Sequence, residues 1–185
     1  MGEMSASAVE VVILCEDRQQ EVFIRRFLQK RGKERCQFRA VISPAGRGSG
    51  EQWARERFPS ELQAHRSQGA RRNNWLLVAT DADVHIVQER IQSFAQACFD
   101  ADVQFRQKNE KVIFIVPKRN IETWFAYLRG EIVNDSDIYP GYNCENDCRQ
   151  DVSRLDNMCR QQRLEPEPPP ASLLLCCEEF NRIHL

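Results

Sequence analysis

Four short apolar stretches alternate along the chain with longer segments whose apolar side chains recur every three or four positions. The stretches are 9–15 (VEVVILC), 36–42 (CQFRAVI), 75–80 (WLLVAT) and 111–116 (KVIFIV). Runs of this length that end at turn residues are typical of strands. The stretch 75–80 is apolar almost throughout, which indicates a strand covered on both faces of its sheet.

The segments between these stretches predict helices. Asp17 followed by Gln20 matches a capping box and predicts a helix start, and Gly32 predicts the end of that helix. In the helix that we predict over 51–69, Pro59 predicts a break and Ser60 a restart. Helices are also predicted over 84–99 and 121–128, the latter with Asn120 as its N-cap.

The order of these elements predicts the fold class. Strands that alternate with helices favour an α/β fold, with a mostly parallel sheet of about four strands flanked by helices. Past residue 130 the pattern changes to a polar, turn-rich segment followed by helices over 148–163 and 171–182. We therefore predict an α/β domain over 1–130 and a short C-terminal helical extension over 131–185 that packs on it as a cap.

Composition and charge indicate where the protein is located and which kinds of partner it can bind. No apolar run approaches the roughly 20 residues of a membrane helix, and the N-terminus lacks a signal-peptide pattern, so we expect a cytoplasmic protein without a membrane partner. The net charge is −1, but 21 Arg stand against 5 Lys. Arginine suits two-pronged contacts to phosphate, although a genome-wide preference for Arg over Lys explains the same excess.

The eight cysteines indicate neither a disulfide framework nor a clear metal site. Without a signal peptide, reduced thiols are the expectation. Cys144, Cys148 and Cys159 have spacings that do not match a paired CxxC zinc site.

Acidic residues follow three of the four predicted strands. Glu16 follows the first strand, Asp81 and Asp83 follow the third, and Glu122 comes shortly after the fourth. The carboxyl ends of parallel strands meet at one sheet edge, where clustered carboxylates repel each other unless a cation holds them. Oxygen ligands of this kind select Mg²⁺, with Mn²⁺ as a substitute.

Three of these four acids also have a plain structural interpretation. Asp83 would cap the helix that follows, Asp81 would be a turn residue, and Glu122 would be favoured by the positive end of a helix dipole. Against this, an extended Asp-Ala-Asp segment directs both carboxylates to the same side.

Arginines near the same sheet edge are candidates for phosphate contact. Arg47 lies in the glycine-rich loop 44–50, Arg55 follows in the next helix, and Arg119 precedes Glu122. Such a loop between a strand and a helix can present backbone N–H groups to an anion. The alternative is a flexible connection with no ligand.

The motifs VVILCE and LLVATDAD, in this order, resemble the TOPRIM domain of topoisomerases, bacterial primases and nucleases of the overcoming-lysogenization-defect type. The resemblance covers about residues 9–130, and Asp17 stands where family members usually have Gly. It implies that Glu16 is a general acid/base or metal ligand and that Asp81 and Asp83 bind Mg²⁺. The stretch PKRNIETWFAYL resembles a segment of small stand-alone TOPRIM-like proteins of bacterial defence loci, which would make Glu122 a further ligand.

The resulting functional hypothesis is a Mg²⁺-dependent TOPRIM-type nuclease that hydrolyses phosphodiester bonds in DNA or RNA as an effector of anti-phage defence. The alternative is a non-catalytic module that binds nucleic acid or a partner ATPase, since the chain has no ATPase motif of its own. A nucleotide-sugar transferase also uses a DxD motif, but that interpretation leaves Glu16 and Glu122 unexplained.

Overall fold

The computed structural model describes residues 10–34, 36–46, 48–69, 74–142 and 148–182. Strands and helices alternate within these ranges as far as the fourth strand, and three helices follow it. The strands are β1 (Glu10–Cys15), β2 (Gln37–Ile42), β3 (Trp75–Ala79) and β4 (Val112–Ile115). The helices are α1 (Arg18–Leu28), α2 (Gly50–Gly69), α3 (Val87–Asp100), α4 (Glu122–Leu128), α5 (Arg149–Gln161) and α6 (Ala171–Arg182).

The four strands form one sheet in the order β2-β1-β3-β4. All three strand pairs are parallel, and β1 and β3 are the central neighbours, in register from Val11 beside Trp75 to Cys15 beside Ala79. The predicted α/β fold with a parallel sheet of four strands is therefore confirmed. Because β1 and β3 end level with each other, whatever follows Cys15 lies next to whatever follows Ala79.

Strands β1, β3 and β4 are buried on both faces of the sheet, which explains their nearly continuous apolar runs, while the edge strand β2 is only partly buried. Alternate residues of β1 belong to different hydrophobic clusters: Val11 and Ile13 to one, Val12 and Leu14 to the other. The first cluster is completed by α1, α4, α5 and α6, and the second by α2 and α3. This alternation follows from the two-residue period of a strand between two helical layers.

Helix α2 corrects the prediction of a break at Pro59, since the helix runs unbroken through that residue. Proline removes one backbone hydrogen bond of the helix. The loss is offset by the side chains one turn apart on the inner face, because Ala54, Phe58 and Leu62 are all fully buried in the second cluster.

The N-terminal ends of two helices also differ from the prediction. Helix α3 begins at Val87 with Ile86 as its N-cap, later than predicted, because a turn closed by the His85 N–H on the Ala82 carbonyl at 3.0 Å precedes it; within this turn Asp83 has a positive φ of 56°. Helix α4 has Ile121 as its N-cap, with no side-chain hydrogen bond at the cap, so the assignment of Asn120 to that position is wrong.

The two C-terminal helices contact the first cluster. Arg31, just after α1, pairs with Asp156 of α5 at 2.8 Å, and the rings of Phe27 and Phe180 lie 4.4 Å apart between centroids. The boundary predicted at residue 130 stays a prediction.

A disulfide joins α5 to α6. It links Cys159 to Cys177, whose Cα atoms lie 5.3 Å apart. The expectation of reduced thiols is therefore wrong for this pair, because helix packing brings the two residues to disulfide distance. Cys144 lies outside the described residues. No helix among the described residues is long and apolar enough to cross a membrane.

Candidate functional site

The first two acids of the predicted site meet at the centre of the sheet edge. The backbone N–H of Asp81 donates to Glu16 Oε1 at 2.8 Å, and the Thr80 hydroxyl donates to the same oxygen. This contact follows from the register of β1 and β3, because Glu16 comes directly after the end of β1 and Asp81 two residues after the paired end of β3. The two donors fix the Glu16 carboxyl group in one orientation.

Gln20 is a second link between these acids that sequence reasoning did not find. Its side-chain N–H donates to Asp81 Oδ1 at 3.1 Å, and its side-chain carbonyl accepts the Glu16 backbone N–H, also at 3.1 Å. Asp17 caps α1 as predicted, by accepting the Gln20 backbone N–H at 2.8 Å. The signal was present in the sequence, since the capping-box position is occupied by Gln, which can donate to a carboxylate, rather than Glu.

The electrostatics of this pair are unfavourable to two ionised carboxylates. Burial raises the pKa of Asp81 well above its usual value, and the neighbouring charges of Glu16, Asp17, Asp83 and Glu122 raise it further. Burial likewise raises the pKa of Glu16, although its hydrogen bonds from Thr80 and Asp81 oppose the shift. The sheet edge therefore holds more negative charge than its protein surroundings balance.

Asp83 is the exposed member of the set. It lies in the turn between β3 and α3 with 57% of its side chain exposed. The helix-cap interpretation of Asp83 is wrong, because Ile86 occupies that position. The premise of an extended Asp-Ala-Asp segment also fails, because of the positive φ at Asp83. Asp83 nevertheless contributes charge at both Glu16 and Asp81.

Glu122 approaches the same region from the next strand connection. It is half-buried in the first turn of α4, as the helix-dipole interpretation expects, and its charge also raises the pKa of Asp81. The structural and functional interpretations of Glu122 are therefore compatible.

The predicted phosphate contacts divide into three cases. Arg47 lies outside the described residues. Arg55 donates through Nε to Glu51 Oε1 at 2.9 Å, and its side chain is 34% exposed. Arg119 is half-buried in the bend between β4 and α4, beside the acidic edge in sequence.

The carboxylate oxygens of this site can be compared with the ligands that a divalent cation requires. Among the described residues, no three His, Cys, Asp or Glu side chains stand ready in a metal-binding group. The fixed part of the site is the pair Glu16 and Asp81, and within the described chain neither Glu16 Oε2 nor Asp81 Oδ2 receives a hydrogen bond. Two oxygens without donors, in a site of excess negative charge, fit a hard cation such as Mg²⁺.

Comparison with models of protein families, with curated proteins and with solved structures finds no match to this chain.

Proposed function

We propose that this chain is a Mg²⁺-dependent nuclease of TOPRIM type that hydrolyses phosphodiester bonds in DNA or RNA, as an effector of anti-phage defence. The observation that carries the proposal is the direct contact between Glu16 and Asp81, at the adjoining carboxyl ends of the two central strands. The motifs VVILCE and LLVATDAD supply these two residues, so the resemblance and the geometry concern the same atoms.

The ligand roles follow from the position of each acid. Asp81, Asp83 and Glu122 would hold the cation, with water and substrate phosphate oxygens completing its shell. When bound, the ion supplies a positive charge that stabilises the phosphate oxygens as negative charge develops on them. The raised pKa of Asp81, caused first by burial and then by the neighbouring carboxylates, supports this assignment, because a nearby cation would stabilise the ionised form against both.

Glu16 is a general acid/base or a further metal ligand in this proposal. Its Oε1 is occupied by two donors from the protein, which leaves Oε2 either to bind the cation beside Asp81 or to accept a proton from an attacking water and return it to a leaving oxygen. Arg47, Arg55 and Arg119 would contact substrate phosphates. Arg55 would do so through its guanidinium Nη groups, since its Nε is taken by Glu51.

A second candidate function is a non-catalytic TOPRIM-like module that binds nucleic acid or a partner ATPase. It is favoured by one observation: no three-ligand metal group stands preformed among the described residues. A module of this kind needs the surface of the domain and not the pair of acids.

The deciding experiment compares cleavage by the wild type with cleavage by two variants. Plasmid DNA and total RNA are each incubated with Mg²⁺, with Mn²⁺ and with EDTA. We expect metal-dependent cleavage that Asp81→Asn lowers by roughly 100-fold or more, because a ligand is lost with little change in shape. Asp100→Asn is the matched control, since Asp100 is an exposed carboxylate at the far end of α3.

Two other results would redirect the proposal. Binding of Mn²⁺ to the wild type and not to Asp81→Asn, without cleavage of either polymer, would indicate an enzyme that needs a partner protein or another substrate. Equal activity of the wild type and Asp81→Asn, or no binding of Mn²⁺ or Mg²⁺ by the wild type, would exclude the metal-dependent nuclease.

A further inference from the structure

Arg90 is a buried cation beside the acid pair that the proposed function does not use. It lies in the first turns of α3, and only 7% of the residue is exposed. Its side chain reaches back across the preceding turn, where Nε donates to the Asp81 carbonyl at 3.0 Å and Nη2 to the Ala82 carbonyl at 3.3 Å. Arg90 therefore holds the backbone of the acidic segment rather than its carboxylates.

The charge of Arg90 is balanced elsewhere. Its Nη1 lies 2.6 Å from Glu51 Oε1, in the first turn of α2, whereas the nearest oxygen of Asp83 is 3.9 Å from Nη2. No described contact joins the guanidinium to the carboxylate of Asp81. The acid pair is therefore positioned by an arginine that does not neutralise it, which leaves its charge for a cation.

The contacts of Arg90 also link the segment after β3 to the segment after β1. Glu51 follows Gly50, and a Cβ placed on Gly50 would lie 3.0 Å from Glu16 Cβ, so the start of α2 packs directly against the Glu16 side chain. Arg90 thus joins the backbone after β3 to the helix that supports the side chain after β1. A planar guanidinium can make these three contacts together, whereas the single ammonium of lysine cannot match their geometry.

We propose that Arg90 is the positioning residue of this site, which sets the relative placement of Asp81 and Glu16 through the carbonyls of 81–82 and through Glu51. The part of the inference that concerns a cation rests on the proposed function. The part that concerns placement rests only on the described contacts.

The experiment uses Arg66 as a matched control. Arg66 also donates to two backbone carbonyls, those of Gln104 and Phe105, and to one carboxylate, that of Glu110, none of which belongs to the acidic edge. Arg90→Gln and Arg66→Gln therefore remove the same kinds of contact in two places. Three properties are measured on each full-length protein: Mn²⁺ affinity by electron paramagnetic resonance, the urea midpoint of unfolding, and amide hydrogen exchange of residues 80–86 in EDTA.

We expect Arg90→Gln to weaken Mn²⁺ binding by about 10- to 100-fold, the usual range for groups that orient metal ligands, and to accelerate exchange over 80–86. Arg66→Gln should lower the urea midpoint comparably but leave Mn²⁺ affinity within about twofold of the wild type and exchange over 80–86 unchanged. Arg90→Lys restores the positive charge that Arg90→Gln removes, but not the planar guanidinium group. We expect it to recover only part of the Mn²⁺ affinity.

A variant with a smaller change covers the case in which Arg90→Gln does not fold. Glu51→Gln keeps Arg90 and removes its partner's charge, and it should shift Mn²⁺ affinity and exchange in the same direction by a smaller factor. The inference is overturned if Arg90→Gln, or Glu51→Gln in its place, behaves as the wild type in both properties, or if Arg66→Gln has the same effects.

Failure of the proposed function is distinguishable from failure of this inference. A wild type that binds no Mn²⁺ and cleaves nothing would exclude the nuclease. Exchange over 80–86 that accelerates in Arg90→Gln and not in Arg66→Gln would still establish the positioning role. Unchanged exchange in both variants would remove it.

Discussion

Buried and half-buried acids in this molecule occur in two kinds of surroundings. Away from the acidic edge, three buried acids are each paired with arginine. These pairs are Glu61 with Arg39 and Arg57, Asp151 with Arg129, and Asp156 with Arg31 and Arg160. At the edge, the half-buried carboxyl groups of Glu16 and Asp81 receive, from the described part of the chain, only neutral donors, namely Thr80, Gln20 and the backbone.

The difference separates acids that support the fold from acids that are available for chemistry. A carboxylate paired with arginine has its charge satisfied within the chain. For the half-buried pair Glu16 and Asp81, burial raises the pKa of both groups, and neighbouring carboxylates raise it further. The nearby cation, Arg90, binds carbonyls and Glu51 instead. Surplus charge in an ordered setting is the feature that favours a cation site here.

The largest expected effect concerns the paired acids. Asp156→Ala removes the carboxylate that pairs with Arg31 Nε at 2.8 Å, and the Arg31 side chain is only 1% exposed. We expect the free energy of unfolding to fall by about 3 to 5 kcal/mol, because a buried ion pair is broken. Urea unfolding monitored by circular dichroism measures this loss.

The control for that change is Arg160→Ala. Its side chain is 56% exposed and shares Asp156 with Arg31, so we expect a loss below about 1 kcal/mol. Equal losses for the two variants would contradict the distinction between buried and exposed partners of Asp156.

At the acidic edge we expect a smaller change in the free energy of unfolding, and this change is a gain in stability. The folded state raises the pKa of Asp81, so it binds a proton more tightly than the unfolded chain does, and stability falls as pH rises above the ordinary aspartate pKa of about 4. Asp81→Asn removes this penalty. In EDTA at neutral pH we expect the variant to be more stable than the wild type by about 1 kcal/mol, with the difference vanishing towards pH 4.

Urea unfolding in EDTA across pH 4–8 measures this difference, with Asp100→Asn as the exposed control. Addition of Mg²⁺ should stabilise the wild type and not Asp81→Asn, which would reduce or reverse the gap. A variant that is less stable than the wild type at pH 7 in EDTA would show that Asp81 is a structural acid like Asp156.

The substitution with the smallest expected effect on stability, Gly50→Ala, tests the packing between α2 and Glu16. Gly50→Ala places a methyl group 3.0 Å from Glu16 Cβ, closer than side chains normally approach, so the Glu16 side chain must shift. Alanine favours the helix, so we expect a change below about 1 kcal/mol in unfolding free energy. Mn²⁺ affinity should nevertheless fall several-fold; unchanged affinity would mean that the placement of Glu16 does not depend on this contact.

The fold was predictable from local patterns, while details of helices and turns were not. The apolar stretches identified all four strands to within one residue at either end. Burial on both sheet faces leaves a continuous apolar run in β1, β3 and β4, whereas the edge strand β2 is partly exposed and contains Gln37 and Arg39. Pro59 was misjudged because the burial of Phe58 and Leu62 outweighs the local preference of proline to end a helix. The turn at Asp83 was misjudged because a positive φ at an Asp has no pattern in the surrounding residues.

The candidate site was likewise predictable in part from local patterns and in part only from the tertiary structure. The sequence by itself determined that Glu16, Asp81 and Asp83 follow apolar strands, because strand ends are local features of hydrophobic patterning. Only the tertiary structure decided that β1 and β3 are neighbours, that Gln20 joins their acids, and that Arg90 binds the Asp81 carbonyl and Glu51 rather than the Asp81 carboxylate. These contacts join residues up to 65 positions apart, so strand order and helix packing create them and no local pattern encodes them.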